Sequence, residues 1–173
     1  MPELVIPRPC VVLLVGAAGA GKSTFARRHF PPDAILSSDS MREVIAGDAT
    51  DQRMNGPVFA ALHRALDRRL ARGELAVVDA TNATAPARRA VRRVAGRRKV
   101  PIVAIVFDLP EAIIRSRNAG RAERPVPDDV VTRHLVTLAR ARDLGTLEAE
   151  GYARIVRLRT AAEVDGLVIR RGS

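Results

Sequence analysis

Residues 16 to 24 read Gly-Ala-Ala-Gly-Ala-Gly-Lys-Ser-Thr, a run whose residue types and spacing could hold a chain of phosphates. Gly16, Gly21, Lys22 and Ser23 fit the pattern G-x-x-x-x-G-K-[ST]. Gly16, Gly19 and Gly21 carry no Cβ, so they can take unusual backbone angles and let amide N–H groups converge on an anion. Ala17, Ala18 and Ala20 are too small to block its approach. Lys22 would reach the β- and γ-phosphates of a nucleoside triphosphate, and the Ser23 hydroxyl would bind Mg²⁺, with the binding segment ending at Thr24. Lys22 and Lys99 are the only lysines among 29 basic residues. A chain that otherwise uses arginine thus has a lysine where phosphate chemistry asks for one.

Other groups could use that phosphate. Asp39 ends the run "ILSSD" and Asp79 ends "LAVVD", so each carboxylate is expected beyond an apolar strand. There it could accept the proton of an attacking hydroxyl. Each could instead cap the helix that follows, and for Asp79 the two readings balance. Arg42 lies one helical turn after Asp39 and could hold an anion beside the acceptor hydroxyl. Within "RSRNAGRAERPVP", Arg117, Arg121 and Arg124 are spaced four and then three residues apart, which predicts one helical face up to Pro125. Facing Lys22, that row would clamp the donor phosphates as a lid over about 115–127. His29, His63 and His134 lack metal-ligand spacing and read as structural.

The elements that must position these groups alternate between strand and helix. Strands are expected at 11–15, 34–38, 75–80, 101–109 and 153–158. The first feeds the glycine loop, and a helix from Ser23 to Phe30, stopped by Pro31 and Pro32, would put its N-terminus under the anion. Phe59, Leu62, Leu66 and Leu70 form a helical apolar stripe ended by Gly73; Val131, Leu135 and Leu138 form another. Residues 88–99 carry seven cations and predict an amphipathic helix with a basic outer face. The polar stretch 46–56 reads as a loop or frayed helix end facing a substrate. The fold class is α/β: a P-loop NTPase fold with a doubly wound, parallel five-stranded sheet flanked by helices and a small helical lid. A single domain over 1–173 is expected.

Cys10 is the one cysteine, so no disulfide framework can form, and it reads as a small buried hydrophobe. "MPELVIPRPC" is too short and proline-broken for a signal peptide, and no apolar run approaches a membrane span, so a cytoplasmic protein with no membrane partner is expected. The net charge of +10 favours polyanionic partners, nucleic acid above all. With four Phe, one Tyr and no Trp, few residues could stack on bases.

Taken together, "GAAGAGKSTFA", "SSDSMR", "VVDATN" and "RNAGRAERPV" make the chain resemble the 5′-OH polynucleotide kinase domain of the bacterial end-healing and end-sealing proteins. The resemblance runs from about Val11 nearly to the C-terminus. It implies transfer of the γ-phosphate of ATP or another NTP, GTP included, to a 5′-OH end of RNA or DNA in strand repair, with Mg²⁺. Lys22 and Ser23 would hold the donor phosphates and metal, Asp39 would be the general base, and Arg42 would contact the acceptor's first phosphate. Arg117, Arg121 and Arg124 would form the lid. Larger members carry phosphatase and ligase domains after the kinase, so a free-standing kinase and a fragment of a longer chain both fit. Two other readings share the local chemistry: a small-molecule kinase acting on a nucleoside, sugar or antibiotic, and a nucleotide-dependent switch that binds nucleic acid.

Overall fold

The computed structural model describes residues 3–49, 51–122 and 125–172. Its strands are β1 (Glu3–Ile6), β2 (Val11–Val15), β3 (Ile35–Ser37), β4 (Ala76–Asp79), β5 (Ile102–Phe107), β6 (Arg154–Leu158) and β7 (Val168–Arg171). Its helices are α1 (Lys22–His29), α2 (Ser38–Ala46), α3 (Asn55–Ala71), α4 (Ala85–Arg97), α5 (Glu111–Ala119), α6 (Asp128–Asp143), α7 (Thr146–Ala149) and α8 (Ala161–Gly166).

Five of the strands form one parallel sheet in the order β3-β4-β2-β5-β6. Strand β2 sits in the middle because all five of its residues are apolar and buried. Side chains alternate across a sheet, and here the alternation separates two cores. Val12 and Leu14 pack with Phe25, Ala26, Ile114 and Val131 on one face. Val11, Leu13 and Val15 pack with Leu62, Leu66, Leu70, Val91 and Val94 on the other. Helices therefore cover both faces, as a parallel sheet requires. The Leu62, Leu66 and Leu70 stripe of α3 is buried and contributes about 1.5–3 kcal/mol per side chain.

A second, two-stranded parallel sheet pairs β1 with β7. It has no counterpart in the sequence reading, because four residues give too little alternation beside Pro2 and Pro7. Leu4 and Ile6 of that pair are buried in the core, and Ile169 packs against it partly buried. Cys10 is fully buried, as expected, and burial pushes its thiol up to about 11.

Two helical expectations need correction. First, α5 ends at Ala119, six residues before Pro125: the Gly120 N–H donates to Ser116 O. Beyond it the Asn118 side chain brackets Val126, with Nδ2 donating to Val126 O at 2.8 Å and Oδ1 accepting from Val126 N at 3.2 Å. With α5 ended at Ala119, Arg121 lies outside the helix, so Arg117 and Arg121 do not share a helical face. Second, the basic helix is not basic on its outer side alone. Arg88 lies on the buried face of α4, where Glu150 neutralises it. The stretch 46–56 leaves α2 through Gly47 (φ 71°), continues as a 3₁₀ turn at Gln52–Met54 and enters α3 at Asn55. Thr50, in that stretch, lies outside the described residues.

Candidate active site

The chain leaves β2 through α1 toward β3, and leaves β5 through α5 and α6 toward β6, in opposite directions across the sheet. Such a reversal opens a crevice at the C-terminal strand ends. A cleft of about 870 Å³ lies there, lined by residues of the glycine loop, α1, α2, α3, the end of β4, α5 and α6.

The glycine loop is shaped by its neighbours. Gly19 has φ 87°, and a Cβ there would lie 2.5 Å from the carbonyl oxygen of Ile114 in α5. Only glycine lets the loop press against that helix. Gly21 (φ 93°) precedes the first turn of α1, and its own Cβ would stand 3.2 Å from Nη1 of Arg117. Lys22 arches back over the loop, its Nζ donating to Gly16 O at 2.8 Å and Ala17 O at 2.9 Å. Burial pushes its ammonium pKa down to about 8, against the opposing pull of the Asp79 and Asp39 carboxylates.

Asp79 is buried at the end of β4, where the Ser23 side chain hydrogen-bonds its carboxyl. Burial raises that carboxyl above its ordinary pKa, while Ser23 and the Lys22 charge oppose the rise. The N-cap alternative for Asp79 fails, because Thr84 caps α4 by accepting from Ala87 N. In the sequence Asp79 reads equally as a proton acceptor and as a helix cap. A strand-end carboxylate was its only signal, and its pairing with Ser23 exists only in three dimensions. A serine hydroxyl beside a carboxylate is a set of hard oxygen donors suited to Mg²⁺.

Asp39 does not cap its helix either; Ser37 does, accepting from Ser40 N. Asp39 lines the cleft with its side chain 57 % exposed, and its Oδ1 accepts from Arg42 Nη1 at 2.8 Å. Arg42 is held inside the protein: it also donates to Ala49 O at 3.0 Å and to Asn55 Oδ1 at 2.9 Å. It fixes Asp39, the 47–49 backbone and the start of α3 together. Phe59 and Asn55 line the same wall. Arg117 reaches the loop, Nη1 donating to Ala20 O at 3.5 Å, and Arg121 lines the cleft with it. Arg124 lies outside the described residues. His134 of α6 also lines the cleft, which its isolation in the sequence did not signal. Burial pushes its pKa down, and the nearby Lys22 and Arg133 charges push the same way.

The parallel sheet with its glycine loop and lysine, with Asp79 at the end of β4 and Asp39 in the first turn of α2, defines a P-loop kinase fold. The chain belongs to the AAA domain family, whose model matches residues 11–144. No curated protein matches it. Among solved structures it is similar to the APS kinase CysC of Mycobacterium tuberculosis in complex with AMPPNP and APS. That match has 18 % identity and a TM-score of 0.56, covering 93 % of this chain and 94 % of the other. It is also similar to a gluconokinase from Sinorhizobium meliloti 1021, at 19 % identity and a TM-score of 0.61 over 94 % and 89 % of the two chains. Chaetomium thermophilum Kti12 in complex with ADP-AlF3 matches at 14 % identity and a TM-score of 0.64 over 90 % and 94 %. Among the described residues no helix is long and apolar enough to cross a membrane.

Proposed function

We propose that this protein is an NTP-dependent phosphotransferase that moves a γ-phosphate to the hydroxyl of a compact small molecule. The observation that carries this reading is the convergence of Lys22, Asp39, Asp79, Arg117 and Arg121 on one cleft. Its volume lies within the range of small-molecule sites. The acceptor wall is already tied down by Arg42, a geometry matched to a fixed substrate. APS kinase and gluconokinase share the fold and act on small acceptors by their names, which supports the same class.

In this mechanism the donor phosphates lie along Gly16–Thr24, with Lys22 leaving its loop carbonyls to pair with them. Ser23 and Asp79 would hold Mg²⁺, which supplies charge neutralisation for the polyphosphate. Asp39 takes the proton of the acceptor hydroxyl as that oxygen bonds to the γ-phosphorus and the β–γ bridging oxygen leaves with the diphosphate. Arg117, Arg121 and, from the same segment, Arg124 stabilise the charge on the transferring group. Arg42 orients Asp39 through their hydrogen bond.

A second reading, transfer to a nucleic acid 5′-OH, draws on the "SSDSMR" and "VVDATN" motifs and on the basic surface. Arg64, Arg68, Arg89, Arg93, Arg97 and Lys99 are exposed on or beside α3 and α4 and make no ion pair among the described residues. The deciding experiment is transfer of labelled γ-phosphate, with Mg²⁺, to a panel of nucleosides, sugars and other small alcohols beside a 5′-OH oligonucleotide. Label on a small molecule, lost by about 10²–10⁴-fold in Asp39→Ala, is the expected result. Label on the oligonucleotide alone would select the second reading. Donor binding without any transfer would leave a nucleotide switch.

A further inference from the structure

The backbone of the glycine loop is supported from behind by the turn 80–83, which follows β4. The Gly16 N–H donates to Thr81 O at 3.0 Å. Asn82 occupies a left-handed conformation (φ 47°), and its Nδ2 donates to Leu14 O at 2.7 Å and Ala80 O at 3.3 Å. This turn therefore sets where β2 hands over to the loop and where Asp79 ends its strand.

What holds the turn comes from another part of the chain. Arg88 Nη1 donates to Asn82 O at 3.1 Å and Ala83 O at 2.6 Å. Its Nε and Nη2 fork onto the Glu150 carboxylate at 2.9 and 2.8 Å. Glu150 in turn accepts from Tyr152 Oη at 2.7 Å, and its backbone carbonyl accepts from Arg92 Nη1 at 2.6 Å. The pair is almost wholly buried, with side chains 1 % and 7 % exposed. Well-packed apolar residues often stabilise such a position as well or better, so a buried ion pair there is weak evidence of a purely stabilising role. A planar fork can grip a carboxylate on one side and two carbonyls on the other, which neither an apolar residue nor a lysine can do.

We propose that Arg88, anchored by Glu150, is a positioning residue for the donor site, acting through the 80–83 turn on Gly16 and Asp79. This rests on the reading of the cleft as an NTP site, but not on the identity of the acceptor. Calorimetric binding of ATP with Mg²⁺, thermal melting, and the Gly16 amide resonance in a two-dimensional NMR spectrum are compared for wild type and two variants. Arg88→Lys keeps the charge opposite Glu150 but loses the fork. Arg88→Met combined with Glu150→Leu removes the pair without leaving a lone buried charge. Both variants should bind ATP at least tenfold more weakly and displace the Gly16 resonance in the absence of nucleotide, while still melting cooperatively. Lowered melting with unchanged affinity and an unmoved Gly16 resonance would make the clamp purely structural and overturn the proposal. If the paired variant fails to fold, Arg88→Lys decides by the same two readouts. Wild-type protein that binds no ATP would overturn the donor-site reading itself, whereas a binding wild type with equally tight variants would overturn this inference alone.

Discussion

At Lys22, burial lowers the ammonium pKa while the Asp79 and Asp39 carboxylates pull it the other way. Burial brings its pKa to about 8, whereas an unfolded lysine keeps its proton to 10.5. Between those values the unfolded chain binds more protons than the folded one, so the contribution of Lys22 to stability rises with pH across that window. Donor affinity runs the other way, since a polyphosphate pairs with the ammonium and not with the amine. ATP binding should weaken as pH rises through about 8 and take up a proton, which calorimetry in buffers of different ionisation enthalpy would detect. Lys22→Met should abolish the uptake together with most of the affinity. A proton-silent wild type would remove Lys22 from the phosphates. At Gly19 the constraint is steric: Gly19→Ala meets both a positive φ and the Ile114 carbonyl 2.5 Å away. Denaturant unfolding should show a loss of about 1–3 kcal/mol.

Between residue and fold stand α5 and the loop after it, where two side chains of one helix do different work. Asn118 clasps Val126 and shapes the segment, while Arg117 faces the phosphate loop. Asn118→Ala should cost about 1–3 kcal/mol through the unpaired Val126 groups and raise the donor KM as the segment loosens. Arg117→Ala should leave stability nearly unchanged but lower kcat on the order of 10³-fold, as loss of an arginine finger does. If the two variants showed the same kinetic profile, this division of labour would be wrong. The helix pair α2 and α3 is likewise joined by Arg42. Its truncation to alanine should free the 47–49 backbone and displace Asp39, a loss of kcat with donor affinity retained.

Across the whole molecule the working edge and the supporting edge are separate. Ile6, Leu75 and Arg171 line a smaller cavity of about 230 Å³, at the start of β4 and the ends of β1 and β7, opposite the glycine loop. Truncation after Gly166 should remove β7 and the buried Leu167 and lower stability by roughly 2–5 kcal/mol, as loss of a large core side chain does. ATP binding should persist below the new melting point. The β2–loop–α1 unit and all five strands of the main sheet are legible in the sequence, because their signals are local: apolar runs, glycine spacing, and helices ended by proline or glycine. The β1–β7 pair is not, since its partners lie at opposite ends of the chain. Asp39 and Arg42 are recognisable as neighbours one turn apart, but the capture of Arg42 by Ala49 and Asn55 depends on how α2 meets α3. The spacing of Arg117, Arg121 and Arg124 suggests a continuous helix because periodicity cannot register the Asn118–Val126 clasp. By itself the sequence determined the glycine loop, its place between β2 and α1 and the lysine that follows it, and with them the expectation of a phosphate site, since that chemistry is written in consecutive residues. Only the tertiary structure decided that Asp79 pairs with Ser23, that Arg88 turns inward to Glu150, and that Arg42 ties α2 to α3, because each depends on side chains brought together from distant elements.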